Sequence, residues 1–373
     1  MLCPLCSGKR PVCIHEYKIL PKILTREFFG PSYNIFVGRA GYPHVSIGPI
    51  ASTEEDMLLD NPSLWFGLPY ERLIEMRYLL IRAKATAHVK NNSRFIEENQ
   101  LISMSDPIDV EMTFKKDPVY RFESSSITTP TGPIADIEKM KIAENPKISY
   151  KLDRIVGDDL KAVDASIAIY NIEKDVYKAS SILSSGALGY NKKIVPTKWS
   201  ITAIDDILAK NMVRSVKDYA HVKEFIVHSG EYLGNHFEIL LMPGNWEFEN
   251  FESWTENQAI NIIGEHEGYM GRKRYAYSQS GGYYASRFGV IESLHENKRQ
   301  AKVIVFREIY DSYTVHMGVW VVRENVRNAM KNHPNKFSVL DQALVDINTR
   351  LRIPIASYLK KSIILNQKRL SDF

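Results

Sequence analysis

The feature that most constrains this chain is the placement of its cysteines. Cys3, Cys6 and Cys13 lie within the first 13 residues, and none follows from residue 14 to 373. An odd count packed this tightly is not a disulfide framework, so the rest of the chain must be held together by burying apolar surface. The composition allows that. With 373 residues, 44% hydrophobic and 25% charged, the chain can bury a large core, as one large domain or two packed domains with small appendages at the ends. No run reaches 18 uninterrupted apolar residues and the N-terminus lacks an apolar signal core, which predicts a cytoplasmic protein without a membrane partner. The Asn91-Asn92-Ser93 sequon then reads as a chance match.

Cys3-Pro4-Leu5-Cys6 has the spacing of a zinc knuckle, in which one tight turn points two thiolates at the same ion. Cys13 and His15 complete a tetrahedron of three sulfurs and one imidazole, with His44 or Glu16 as alternatives for the fourth position. Gly8 supplies the permissive backbone of such a turn. Four protein ligands leave no open coordination position, so zinc is predicted to staple the terminus rather than to catalyse.

Hydrophobic periodicity predicts a mixed α/β (α+β) fold. Leu73, Met76, Leu80 and Ala83 recur at helical spacing with Arg72, Glu75, Arg77 and Arg82 off the stripe, the pattern of a surface helix. Ile201, Ile204, Leu208, Met212 and Val216 form a second stripe, with Thr202 and Asp205 as a capping box. Thr255-Glu256-Asn257-Gln258 reads as another helix start. Asn34 to Val37, Phe225 to Val227, Phe237 to Met242 and Val303 to Phe306 read as strands, and Leu340, Leu344, Ile347 and Leu351 as a late helix that Pro354 ends or kinks. The Ser-, Thr-, Pro- and Gly-rich stretch over 115–150 is the predicted long loop or boundary. The layout is thus a knuckle over 1–20, a central α/β domain over 21–360 and a flexible tail over 361–373.

Forty-eight basic residues nearly offset 44 acidic ones, for a net charge of +4. Binding a polyanion needs charge focused on one face, which a net value does not reveal.

The last seven residues carry Gln367, Leu370 and Phe373 at three-residue steps. In a 3₁₀ turn such positions share one face, so Leu370 and Phe373 project together as a two-pronged plug. This looks like the peptide by which replication and repair proteins dock on the sliding clamp PCNA, and its flanking Lys360, Lys361, Lys368 and Arg369 suit an acidic surface. A cysteine cluster at the start and this peptide at the end, with Val37-Gly38-Arg39 through Gly48-Pro49, Ile194 through Asp206 around Trp199, and Gly281-Gly282-Tyr283-Tyr284-Ala285, together resemble the archaeal Nre family of DNA-repair proteins. The resemblance covers nearly the whole chain. It implies zinc, PCNA and DNA as partners, with other repair proteins beside them. The family usually supplies four cysteines where this sequence has three, which leaves the fourth ligand open.

There is no phosphate loop of the G-x-x-x-x-G-K-[ST] type, no G-x-S-x-G elbow and no H-E-x-x-H helix. Polar residues in glycine- and aromatic-rich settings make a candidate cleft instead: Arg39, His44, Trp199, Ser200, Thr202, Asp205, Asp206, Tyr284 and Arg287, from three segments expected to converge. Two classes follow. One is a repair protein delivered to the clamp whose central domain is a nucleotide- or DNA-processing enzyme or nucleotide binder; the other is a non-catalytic clamp-bound adaptor.

Overall fold

With no cysteine among the described residues, the strands must pair and the apolar faces be covered without cross-links, and this happens in two compact units. The computed structural model describes residues 25–119, 125–256 and 259–367. Cys3, Cys6, Cys13, His15, Leu370 and Phe373 lie outside the described residues. One unit comprises Met1–Leu208 with Val315–Gly318, the other Ala209–Thr314 with Val319–Phe373.

The first unit is built on a closed barrel of β1 (Glu27–Val37), β2 (His44–Ala51), β3 (Ile81–His88), β4 (Ile108–Phe114) and β5 (Ile134–Ile142), in the order β1-β2-β3-β5-β4. Neighbours are antiparallel except β3 and β5. β1 serves two partners: Glu27 to Ser32 pair with β4 and Ser32 to Val37 with β2, and a register shift between Ser32 and Asn34 bends the strand around the barrel. The period-two alternation turns Ile35, Val37, Val45, Ile47, Ala83, Val110, Met112 and Phe114 inward. Between β3 and β4, α2 (Arg94–Met104) adds Ile96 and Ile102 to that core. This is the arrangement of an OB-type Greek-key barrel. Gly48 is required where β2 meets β3, because a Cβ there would lie 2.4 Å from the Ala83 carbonyl oxygen.

Several expectations are corrected here. α1 (Tyr70–Tyr78) ends before Leu80, and Ala83 lies in β3, so the four-residue stripe spans a helix and a strand. Nor is α1 a simple surface helix. Arg77 is fully buried, donating to the Leu59 and Pro130 carbonyls at 2.9 and 2.7 Å, paired with Asp60 and lying over Trp65. Sequence period counts apolar positions; it cannot see tertiary partners that satisfy a buried cation. The stretch 115–150 is not the boundary either, since β5 lies within it and closes the barrel. The boundary falls after Leu208, inside α6 (Thr197–Val216), which follows α3 (Tyr150–Gly157), α4 (Ala162–Glu173) and α5 (Val176–Ser185). α6 begins at Thr197, where the Pro196 carbonyl accepts from the Trp199 and Ser200 amides. Thr202 is therefore interior and caps nothing; its hydroxyl donates to the Lys198 carbonyl at 3.3 Å.

The second unit holds a six-stranded sheet in the order β11-β6-β7-β10-β8-β9, with β6 (Phe225–Tyr232), β7 (Asn235–Met242), β8 (Glu247–Glu256), β9 (Ala259–Glu267), β10 (Lys302–Ile309) and β11 (Asn335–Phe337). β10 is parallel to β8 and antiparallel to β7. Glu256 pairs with Ala259 in an antiparallel register, so Thr255 and Glu256 end a strand rather than open a helix. α7 (Gly281–Glu296) and α8 (Trp320–Lys331) cover the face bearing Gly230 and Glu252. α9 (Leu340–Asn348), α10 (Ile355–Leu359) and α11 (Ile363–Asn366) pack on the other, where Leu240, Phe251, Ile304 and Phe306 meet Ala343, Ile347, Tyr358 and Ile364. α9 ends at Asn348, before Pro354 can act on it. Residues 361–366 are not tail. The Glu249 carboxylate accepts from the Ser362 hydroxyl at 2.5 Å and the Ile363 amide at 2.7 Å, and Ile364 is buried.

Candidate functional site

The connection from β1 to β2, Gly38 to Pro43, turns back sharply, with Gly41 at φ +80° where a side chain would be strained. The turn carries Tyr42 outward, 41% exposed. Trp199, in the first turn of α6, is 44% exposed, whereas Trp65, Trp246 and Trp320 are buried. The Tyr42 and Trp199 ring centroids lie 5.2 Å apart at 56°, so the rings meet obliquely rather than covering each other.

Backbone ties hold three segments together at this end of the barrel. The Val37 amide donates to the Thr197 hydroxyl at 2.8 Å, the Val89 amide to the Pro43 carbonyl at 3.0 Å and the Ile194 amide to the Val89 carbonyl at 2.9 Å. Segments 38–46, 84–90 and 189–199 thereby share one surface. They contain Arg39, Lys84, Lys90, Lys192, Lys193 and Lys198, and not one Asp or Glu. The Lys193 ammonium sits 5.2 Å from the Tyr42 ring centre. His44 and His88 are cross-strand partners with ring centroids 5.1 Å apart. Burial pushes Lys198 below the usual lysine value, and the Arg39 guanidinium beside it adds to the depression. An anion placed between the exposed Arg39 and the half-buried Lys198 would relieve their repulsion. Farther along the same outer face, Arg82 lies over the Phe36 ring at 3.9 Å, and Lys84 pairs with Asp136 at 3.7 Å.

Such a surface can take a flat π-system against its rings and anionic groups against its cations. A groove of about 660 Å³ between α2 and strands β4 and β5 offers no such bias, because Arg94, Lys139 and Lys141 there alternate with Glu98, Glu111 and Glu138.

Of the residues singled out in the sequence, Arg39, His44 and Trp199 meet here. Ser200, Thr202 and Asp205 are buried, and Ser200 shares a 3.1 Å hydrogen bond with Ser180; Asp206 is half-buried. Tyr284 and Arg287 belong to the second unit and are buried within it. The Tyr284 hydroxyl accepts the Ala276 amide at 3.1 Å and its ring stacks on Tyr275, while Arg287 pairs with Glu267 at 3.1 Å. A Cβ on Gly282 would lie 2.2 Å from a Glu252 carboxylate oxygen, so that glycine lets α7 approach the sheet. Sequence reasoning passed over Tyr42, His88, Lys193 and Lys198. Their signal was three acid-free basic segments, far apart in the chain. Among the described residues no group of three or more His, Cys, Asp or Glu side chains is arranged to hold a metal. None of the described helices is long and apolar enough to cross a membrane.

An OB-type barrel with a cationic aromatic end, continued through α6 into a six-stranded α/β unit, is the class of protein that these observations define. The family model described as Archaeal Nre, N-terminal matches residues 3–261, and that described as Archaeal Nre, C-terminal matches residues 267–373. The chain belongs to the archaeal Nre family. It is 36% identical over 371 residues to a DNA repair protein NreA of Archaeoglobus fulgidus, covering 94% of this chain and 93% of that one. A DNA repair protein NreB of the same organism is 33% identical over 99% of this chain and 98% of its own length. A DNA repair protein NreA of Haloferax volcanii is 32% identical over 89% and 85%. No solved structure matches the chain.

Proposed function

We propose that this chain is a DNA repair protein that contacts DNA through the Tyr42 and Trp199 face and is brought to the sliding clamp PCNA by Gln367, Leu370 and Phe373. Focused charge carries the first half. Lys84 pairs with Asp136, but the same three segments carry Arg39, Lys90, Lys192, Lys193 and Lys198 without one acidic residue among them, beside two exposed aromatic rings, in a chain whose net charge is only +4. Cations arranged so bind a phosphate backbone by releasing its counterions. The related proteins named above are DNA repair proteins, which supports DNA as the polyanion. The test is fluorescence anisotropy with labelled DNA across a salt series, comparing the native protein with Lys192→Glu/Lys193→Glu. The variant is expected to bind more weakly and to lose about 0.7–0.9 in salt slope per phosphate contact removed. Unchanged affinity and slope would take this face out of the function.

The clamp half is supported by the spacing of the last seven residues and by what precedes them. Gln367 is exposed and directly follows α11, which Ile364 and Glu249 anchor to the sheet. Ordering seven residues costs roughly 1–2 kcal/mol each, while full burial of Leu370 and Phe373 returns roughly 1.5–3 kcal/mol each. The two anchors alone do not cover that cost, so binding to one clamp subunit also leans on Gln367 and the flanking basic residues and is no tighter than micromolar, a weakness partly offset by a ring that offers several sites. Truncation after Asn366 should abolish clamp binding in calorimetry and leave the melting temperature unchanged. Retained affinity would rule the peptide out.

A further inference from the structure

Building on the DNA-contact reading above, we infer that the ligand of this face is single-stranded DNA, with unpaired bases stacked against Tyr42 and Trp199 and phosphates held by Arg39, Lys193 and Lys198. Three observations lead there. First, the topology places the face. In OB-type barrels the outer surface of the second and third strands, flanked by the β1–β2 and β4–β5 connections, is where oligonucleotides lie. Here the β1–β2 connection carries Arg39 and Tyr42, and the outward positions of β2 and β3 beside it are Ser46, Thr86 and the His44–His88 pair. Small and polar side chains make a floor that a backbone can approach closely.

Second, the aromatic rings are the wrong equipment for a duplex. Base pairs in a double helix present their edges in the grooves and hide their faces in the stack, so ring faces have nothing to meet there. Exposed rings interleaved with cations are instead the equipment of single-strand channels, where every base offers a π-face. Third, the backbone that carries the rings is held in position. Trp199 is fixed at the start of α6 by the Val37 to Thr197 bond, and Tyr42 by the Gly41 turn and the Val89 to Pro43 bond. Anchors held before the ligand arrives cost little to order.

The experiment compares a labelled 20-mer of deoxythymidine with a 20-base-pair duplex at equal salt, for the native chain and for Trp199→Ala, Tyr42→Ala and Trp199→Phe. Thermal melts check that each variant folds, which is expected because both rings are about two-fifths exposed. The single strand should bind at least 10-fold more tightly than the duplex and quench tryptophan fluorescence. Each alanine should cost on the order of 10-fold or more in single-strand affinity, and Trp199→Phe should restore most of it. Duplex bound as tightly as the single strand, with both alanine variants unaffected, would overturn the single-strand inference and leave the DNA-contact reading intact. If neither form binds, the DNA-contact reading itself fails. Tighter binding of a uridine 20-mer than of its deoxy counterpart would overturn the assignment to DNA.

Discussion

The carboxylate of Glu308 gives the sharpest stability prediction, because it ties the C-terminal helices to the sheet. It is 1% exposed and accepts the Arg352 and Ile353 amides at 2.8 Å each, with the Tyr358 and Tyr310 hydroxyls at 3.2 and 3.3 Å. Burial, followed by the Glu308 charge, pushes the Tyr310 phenol well above its ordinary value, and burial does the same to Tyr358, so both phenols remain protonated donors. Glu308→Leu removes every acceptor at once. Tyr358 keeps its 2.6 Å partner Ser253, but the two amides lose theirs, at roughly 1–3 kcal/mol for each buried group left unpaired. The sum is about 2–6 kcal/mol. For a unit of this size that corresponds to a melting point lowered by roughly 4–24 °C. Glu308→Gln retains one carbonyl acceptor and should lose about half as much. Hydrogen exchange should localise the damage to residues 350–366, with the barrel amides unchanged. A Glu308→Leu protein that melts within about 2 °C of the native chain, or whose exchange rises uniformly, would refute the reasoning.

Further expectations concern the sheet and the N-terminus. Burial alone would push His236 down, but the hydrogen bond it donates to Glu238 at 2.9 Å and the charges of Glu238, Glu231 and Glu308 outweigh it and hold His236 above the ordinary 6.5. Its contribution is whole below pH 6.5 and fades as pH rises through the folded value, so His236→Gln should flatten the stability profile above pH 6.5; an unchanged profile counts against the pair. Zinc held by Cys3, Cys6, Cys13 and His15 would be present at one ion per chain, and Cys3→Ser/Cys6→Ser should abolish it in elemental analysis while the main melt stays put. Stoichiometric zinc in that double variant would mean that the ion binds elsewhere.

Part of the molecule was legible in the sequence because it depends on neighbours along the chain. Runs of β-favouring residues gave the strand ends at Val37 and Met242 and the strand start at Phe225, with Val303 to Phe306 inside β10, and the Trp199 segment with the terminal cysteines and Gln367 to Phe373 resembled one family from end to end. Helix starts were misread at Thr202 and Thr255, since a capping pattern is only a few residues long and occurs equally well inside a helix or at a strand end. Charge was legible only as a total. The near-balance of 48 and 44 concealed three basic, acid-free segments that meet because β2 pairs with β3, Val89 binds Pro43 and Thr197 caps the end of β1. The same holds for Arg287 and Tyr284, which look ready for a ligand in the sequence, and for Arg77, which reads as a surface residue; all three are committed to buried partners in the fold. Local propensity and periodicity settle which elements form. Which polar groups are spent on the core and which are left for a ligand depends on contacts between residues far apart in the chain, such as Tyr42 with Trp199, and only the tertiary structure decides those.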